Sequence, residues 1–115
     1  MKKMKMSNFK VYFFKTARGT YPVKEFMEEQ NDEVYTKILR SIKLLREGGP
    51  FLRPPDARKI SKNLYELRIR GKEAIRIFYT KIQEGYLLLH AFKKKTQKIP
   101  NKELKIALDR TKELI

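Results

Sequence analysis

The sequence has no cysteine, no tryptophan and one histidine, and only 13 acidic side chains against 28 lysines and arginines. Without cysteine there is no disulfide, no thiolate metal site and no thiol nucleophile. The single histidine, His90, leaves a multi-histidine metal site without ligands. Neither a GxxxxGK[ST] loop nor a GxGxxG turn is present. No cofactor and no metal are therefore expected. Long apolar runs are also missing. Val11–Phe14 and Tyr86–Leu89 are the longest, against about 20 residues for a bilayer span, so no membrane association is expected. Met1–Lys5 is basic like the start of a signal peptide, but Lys10 and Lys15 bracket a segment too short for an apolar signal core. A cytoplasmic protein is expected.

What remains is a chain of 115 residues, 41% hydrophobic and 11% aromatic, with a formal net charge of +15. The length suits one domain spanning 1–115. The hydrophobic content argues against a disordered basic tail, and the charge points to a polyanionic partner, most often nucleic acid. The charge is uneven. Residues 1–20 carry six cations and no acid, and residues 53–98 carry thirteen cations against four acids. Residues 21–52 and 99–115 are nearly neutral. The neutral stretches read as helices and the basic ones as strands and loops, so the positive surface is expected on one face of a sheet.

The patterns give an α+β fold. Phe9–Phe14 is aromatic and β-prone. Pro22 can open a helix with Val23, Phe26 and Met27 inward. Asn31 or Asp32 can cap a second helix carrying Val34, Ile38, Ile42 and Leu45, which Gly48-Gly49-Pro50 stops. Ala57–Ile60, Leu64–Ile69, Ala74–Thr80 and Tyr86–Lys93 read as strands of an antiparallel meander. Pro100 opens a last helix with Leu104, Ala107, Leu108, Thr111 and Ile115 on one face. The expected architecture is a small antiparallel sheet with an N-terminal αα-hairpin on one face and a C-terminal helix.

Register carries the chemistry. With Ile69, Ile75, Leu87, Leu89 and Ala91 turned to the core, the other face presents Arg68, Arg70, Arg76, Tyr86, Leu88, His90, Phe92 and Lys94. Arginine forks bind phosphates bidentately, and Phe92, Phe78 or Tyr86 offer faces for unpaired bases. RNA brings its own nucleophile, the 2′-OH. Its cleavage needs a base, an acid and positive charge at the phosphorus. His90, or a lysine amid many cations, suits the proton transfer. Structural ion pairing of the arginines, with Glu66 as the one acid on that face, is the competing reading, as is a solvated rim for Lys93, Lys94, Lys95 and Lys98.

Three stretches together resemble the phage-derived, HigB-like branch of the RelE/ParE toxin superfamily. They are Leu64-Tyr65-Glu66-Leu67-Arg68, Arg76-Ile77-Phe78-Tyr79, and Leu88-Leu89-His90-Ala91-Phe92-Lys93-Lys94-Lys95-Thr96-Gln97-Lys98-Ile99-Pro100. The resemblance implies a type II toxin, a ribosome-dependent mRNA endonuclease working by 2′-OH attack without metal. It also implies a cognate helix-turn-helix antitoxin of HigA type, through which operator DNA is met indirectly. Carried to matching positions, it implies Arg68, Arg76, His90 and Lys94 as catalytic, and Lys59, Arg70, Tyr86, Phe92, Lys93, Lys95 and Lys98 as RNA-binding. Two departures stand out: no tyrosine follows Pro100, and Ile99 replaces a Thr that would cap the last helix. The alternatives are a ParE-like inhibitor of DNA gyrase and a basic RNA-binding module, since the fold alone does not choose.

Overall fold

Alternation of apolar and polar residues through the middle of the chain builds a sheet with two different faces. The computed structural model describes residues 8–114. Met1–Lys5 and Ile115 lie outside them. The strands are β1 (Lys10–Phe13), β2 (Ala57–Ser61), β3 (Leu64–Ile69), β4 (Ala74–Ile82) and β5 (Gly85–Lys94), in the order β1-β5-β4-β3-β2. The helices are α1 (Pro22–Glu28), α2 (Asp32–Gly48) and α3 (Asn101–Lys112). The α+β architecture is as expected, with one difference in strand direction. β1 joins β5 in parallel, while the other pairs are antiparallel. The αα-hairpin separates β1 from the meander and lets it dock alongside the last strand. At Gly85 a Cβ would meet the Lys10 carbonyl at 2.0 Å, so this close approach requires glycine.

Local signals act as read. Pro22 sits at the first helical position of α1. The Asn31 side chain accepts from the Val34 amide at 2.9 Å and caps α2. Gly49, at φ +53°, turns the chain out of α2 into one 3-10 turn. At the start of α3, Pro100 holds the cap position without a side-chain bond. Ile99 is not the cap residue; it packs on an apolar cluster.

The sheet has a core on each side. Towards α1 and α2, Leu67, Ile69, Ile75, Ile77, Tyr79, Tyr86, Leu88 and Ala91 pack against Val23, Met27, Ile38 and Leu45. Towards α3, Leu64, Phe78, Leu87, Leu89 and Phe92 pack with Phe14 and Ala107.

Two β-bulges decide which residues reach which side. In β5, His90 pairs with Phe78 but Leu88 pairs with Tyr79, so Leu89 is an extra residue. Strict alternation fails there. Tyr86 and Leu88 turn to α1 and α2, and Leu87 and Leu89 to α3, opposite to the expected sides. In β2, Lys59 pairs with Tyr65 but Ser61 pairs with Leu64, leaving Ile60 extra.

The face of α3 also departs from the apolar spacing. Leu108 is exposed, while Glu103 and Arg110 turn inward. Glu103 bonds His90, and Arg110 donates to the Leu89 carbonyl at 2.7 Å. Those two polar anchors set the rotation of the helix.

Candidate functional site

The charges gather where α3 does not reach. Helix α3 packs on β5 and β4, leaving β2, β3 and the adjoining part of β4 open on that face. Here the register places Arg58 beside Glu66, and Arg68 beside Arg76. Glu66 is fully buried, and three guanidinium groups close over it. Arg58 Nε donates to Oε1 at 3.1 Å. Arg68 Nε stands 3.8 Å from Oε1 and Arg76 Nε 3.8 Å from Oε2. Exposure falls across the trio, from 46% at Arg58 to 30% at Arg68 and 7% at Arg76.

The cluster is electrically and geometrically incomplete. One carboxylate balances one of three cations. Glu66 Oε2, Arg68 Nε and Arg76 Nε are buried with no hydrogen-bond partner. Arg76 makes one bond, from Nη1 to the Ile75 carbonyl at 3.0 Å. Burial pushes the Arg76 guanidinium below its usual pKa, Glu66 opposes this, and Arg68 and Arg58 add to the lowering. Buried donors without acceptors are costly, and the excess positive charge over Glu66 favours an arriving anion. Phosphate oxygens match guanidinium forks. Structural pairing with Glu66 and readiness for an anion are thus both properties of the same trio.

His90 lies on this face, opposite Phe78 and stacked on Phe92 with ring centres 5.7 Å apart. Its side chain is only 15% exposed, and Nε2 meets Glu103 Oε1 at 2.6 Å. A carboxylate accepts, so Nε2 carries the proton and Nδ1 keeps the lone pair in the neutral ring. Burial pushes the imidazole below its ordinary pKa, partly offset by Glu103, while Arg110 and Lys102 favour the neutral form.

The other residues expected at the site divide. Lys94 lies opposite Ala74, one row beyond the Arg76–Phe92 pair, and its ammonium donates to the Gln97 carbonyl at 2.7 Å. Lys93 pairs with Glu73 at 3.1 Å. Lys93, Lys94 and Lys95 line a small cleft of about 240 Å³ with Lys72 and Glu73. Lys98 is exposed on the loop before α3. Arg70 lies just past the end of β3 and lines the clefts beside α2.

Three assignments need correction. Tyr86 is buried in the opposite core, edge-on to Tyr79 and Phe9, because the bulge at Leu89 reverses its side. Burial raises its phenol pKa, and it offers no face to a base. Phe92 is on the arginine face but buried between Phe78 and His90. Lys59 shares a row with Tyr65 and Tyr79, away from Glu66, because the bulge at Ile60 gives that place to Arg58.

The sequence carries no signal that places Arg58, Glu103 or Arg110 at the site. A hairpin drawn through Ser61 and Leu64 without a bulge would set Arg58 against Leu67, so no spacing signal pointed to it. Among the described residues, no group of three or more His, Asp or Glu is placed to hold a metal ion, and no helix is long and apolar enough to cross a membrane.

Residues 25–112 match the family model described as Phage derived protein Gp49-like (DUF891). No curated protein matches the chain.

Proposed function

The chain belongs to the phage-derived Gp49-like family, a RelE-like toxin family whose members are often toxins of toxin–antitoxin pairs, and from that premise we propose that it is an mRNA endonuclease. The observation that carries this reading is the arginine trio on buried Glu66, with two of its three charges unbalanced and two guanidinium Nε atoms unpartnered. In this reading Arg68 and Arg76 hold the scissile phosphate, and Glu66 positions them. Arg58 adds charge from the exposed side.

The ribose 2′-OH attacks the adjacent phosphorus. The new P–O2′ bond forms as the P–O5′ bond breaks, giving a cyclic phosphate and a 5′-OH. One proton leaves the 2′-OH and one is delivered to O5′. His90 through Nδ1, oriented by Glu103, and Lys94 are the groups assigned to these transfers. Charge builds on the non-bridging oxygens in the transition state. Guanidinium groups already fixed in place by Glu66 stabilise it more than they stabilise the ground state. Arg70, Lys93, Lys95 and Lys98 bind flanking phosphates. The ribosome supplies the message, and a helix-turn-helix antitoxin silences the enzyme in the cytoplasm.

The test is induced expression in a growing bacterium with mRNA 5′ ends mapped minutes later, beside Arg76→Ala. New in-frame cuts in translated messages, absent in the variant, are expected. Removing Arg76 leaves Glu66 paired to Arg58 and Arg68, so the variant should fold. Growth arrest with intact messages would overturn the nuclease and leave a gyrase-directed inhibitor.

A further inference from the structure

A second basic cleft lies around the edge of β3. β2 pairs with β3 only as far as Ala57 opposite Leu67. Beyond that point the Arg68 amide donates to the Asp56 carbonyl at 2.9 Å, and the preceding chain turns away. The gap between this edge and α2 is a cleft of about 260 Å³, lined by Lys37, Arg40, Ser41, Asp56, Arg68 and Arg70 among others. Lys37 and Arg40 are three apart on α2 and so share one helical face.

The cleft has four cations to one carboxylate. Among the described residues, Arg40 and Arg70 have no carboxylate within ion-pair distance. Lys37 has only Glu33, an exposed neighbour at 3.7 Å. The lysine cleft at the β4–β5 end carries a like excess, Lys72, Lys93, Lys94 and Lys95 against Glu73, with Lys93 paired to Glu73 and Lys94 donating to the Gln97 carbonyl. The cleft beside α2 is distinguished instead by its place next to the arginine trio. Arg68 belongs both to the Glu66 trio and to this cleft, so the two sites are contiguous.

We propose that the α2–β3 cleft binds backbone phosphates of single-stranded RNA next to the phosphate held by Arg68 and Arg76. The inference rests on the ribonuclease reading for that central phosphate. A strand seated on the trio crosses the β3 edge and lays its next phosphates between Arg70 and the Lys37–Arg40 face. Apolar lining is limited to Ile69 and Leu44. That gives an amphipathic peptide little to anchor on, whereas a phosphodiester needs only the cations.

The test is fluorescence anisotropy with 2′-O-methyl RNA, which binds but lacks the nucleophile, as a trinucleotide and a dodecanucleotide over a salt series. The variant is the double substitution Lys37→Gln and Arg40→Gln, at a half-buried and an exposed helix position where glutamine is well tolerated. For the dodecanucleotide, the slope of log affinity against log salt should flatten by about 1.4, two contacts at about 0.7 each for a single strand. Trinucleotide binding should be unchanged. An unchanged slope for the dodecanucleotide overturns the inference, as does an equal loss on both lengths or a wild-type protein that binds neither. An unchanged slope with loss of antitoxin binding would give the cleft to a protein instead. Binding is read without cleavage, so failure of the nuclease in the 5′-end experiment is distinguishable from failure here.

Discussion

The two faces of the sheet are built from the same strands and do opposite things. Towards α1 and α2, nearly every inward residue is apolar, from Leu67 through Ile77 to Leu88. Two helices cover that side, so it can be sealed and dry. Towards α3 only a 12-residue helix is available. It covers the β5–β4 part with Phe78, Leu87, Leu89 and Phe92 beneath or beside it. The uncovered remainder carries Arg58, Glu66, Arg68 and Arg76. The difference teaches where a small domain can hold reactive charge. A charged cluster needs a rigid, partly dry floor and an open side, and a sheet covered fully on one face and partly on the other supplies both.

The comparison can be broken most severely at Glu66. Glu66→Gln leaves three arginines packed together without their counter-charge, and should cost about 3–5 kcal/mol, read as a fall in the urea midpoint. Inorganic phosphate should recover stability in this variant more than in the wild type. An equal phosphate effect in both would deny that the trio is anion-ready. On the sealed face, Ile77→Ala should cost about 2–5 kcal/mol through lost burial and a cavity. That loss should be indifferent to phosphate. A phosphate-sensitive Ile77→Ala would erase the distinction between the faces.

The partial cover itself can be loosened. Arg110 donates to the carbonyl of the bulged Leu89 and lies over the Phe14 ring at 5.2 Å. Arg110→Ala should cost about 1.5–3 kcal/mol, as for a charged hydrogen bond, and should raise amide exchange in α3 and at the bulge while leaving α1 and α2 protected. Uniform loss of protection would show that α3 does not act as a separate clamp.

The smallest effect is at His90. Its folded pKa is lowered by burial, so the unfolded chain binds a proton first as pH falls. Stability from the neutral ring is therefore fully present above about 6.5, the ordinary value for histidine, and declines as pH drops through the lower folded value. Glu103, Lys102 and Arg110 face the ring. His90→Gln should flatten the stability–pH profile in that window, checked by denaturation at fixed ionic strength. A profile unchanged by the substitution would show that His90 does not carry the acid sensitivity.

Much of the fold was legible because its signals are local. The Pro22 helix start, the Asn31 cap, the Gly48-Gly49-Pro50 stop and the alternation in β3 and β4 each depend on a few neighbouring residues. The arginine face followed from that alternation, since Arg68 and Arg76 are in the regular parts of their strands. The roles of Arg58, Lys59, Tyr86 and Leu108 were not legible. Each depends on a bulge or on a contact between distant segments.

Composition and period-two alternation are properties of the chain alone, and they set the α+β order, the basic excess, and the placing of Arg68 and Arg76 opposite the apolar residues of β3 and β4. Contacts between distant segments settle that Arg58 rather than Lys59 meets Glu66, that Tyr86 is core, and that His90 is held by Glu103. One extra residue in a strand reverses the side of everything beyond it, and where that residue is accommodated is settled by packing across the sheet.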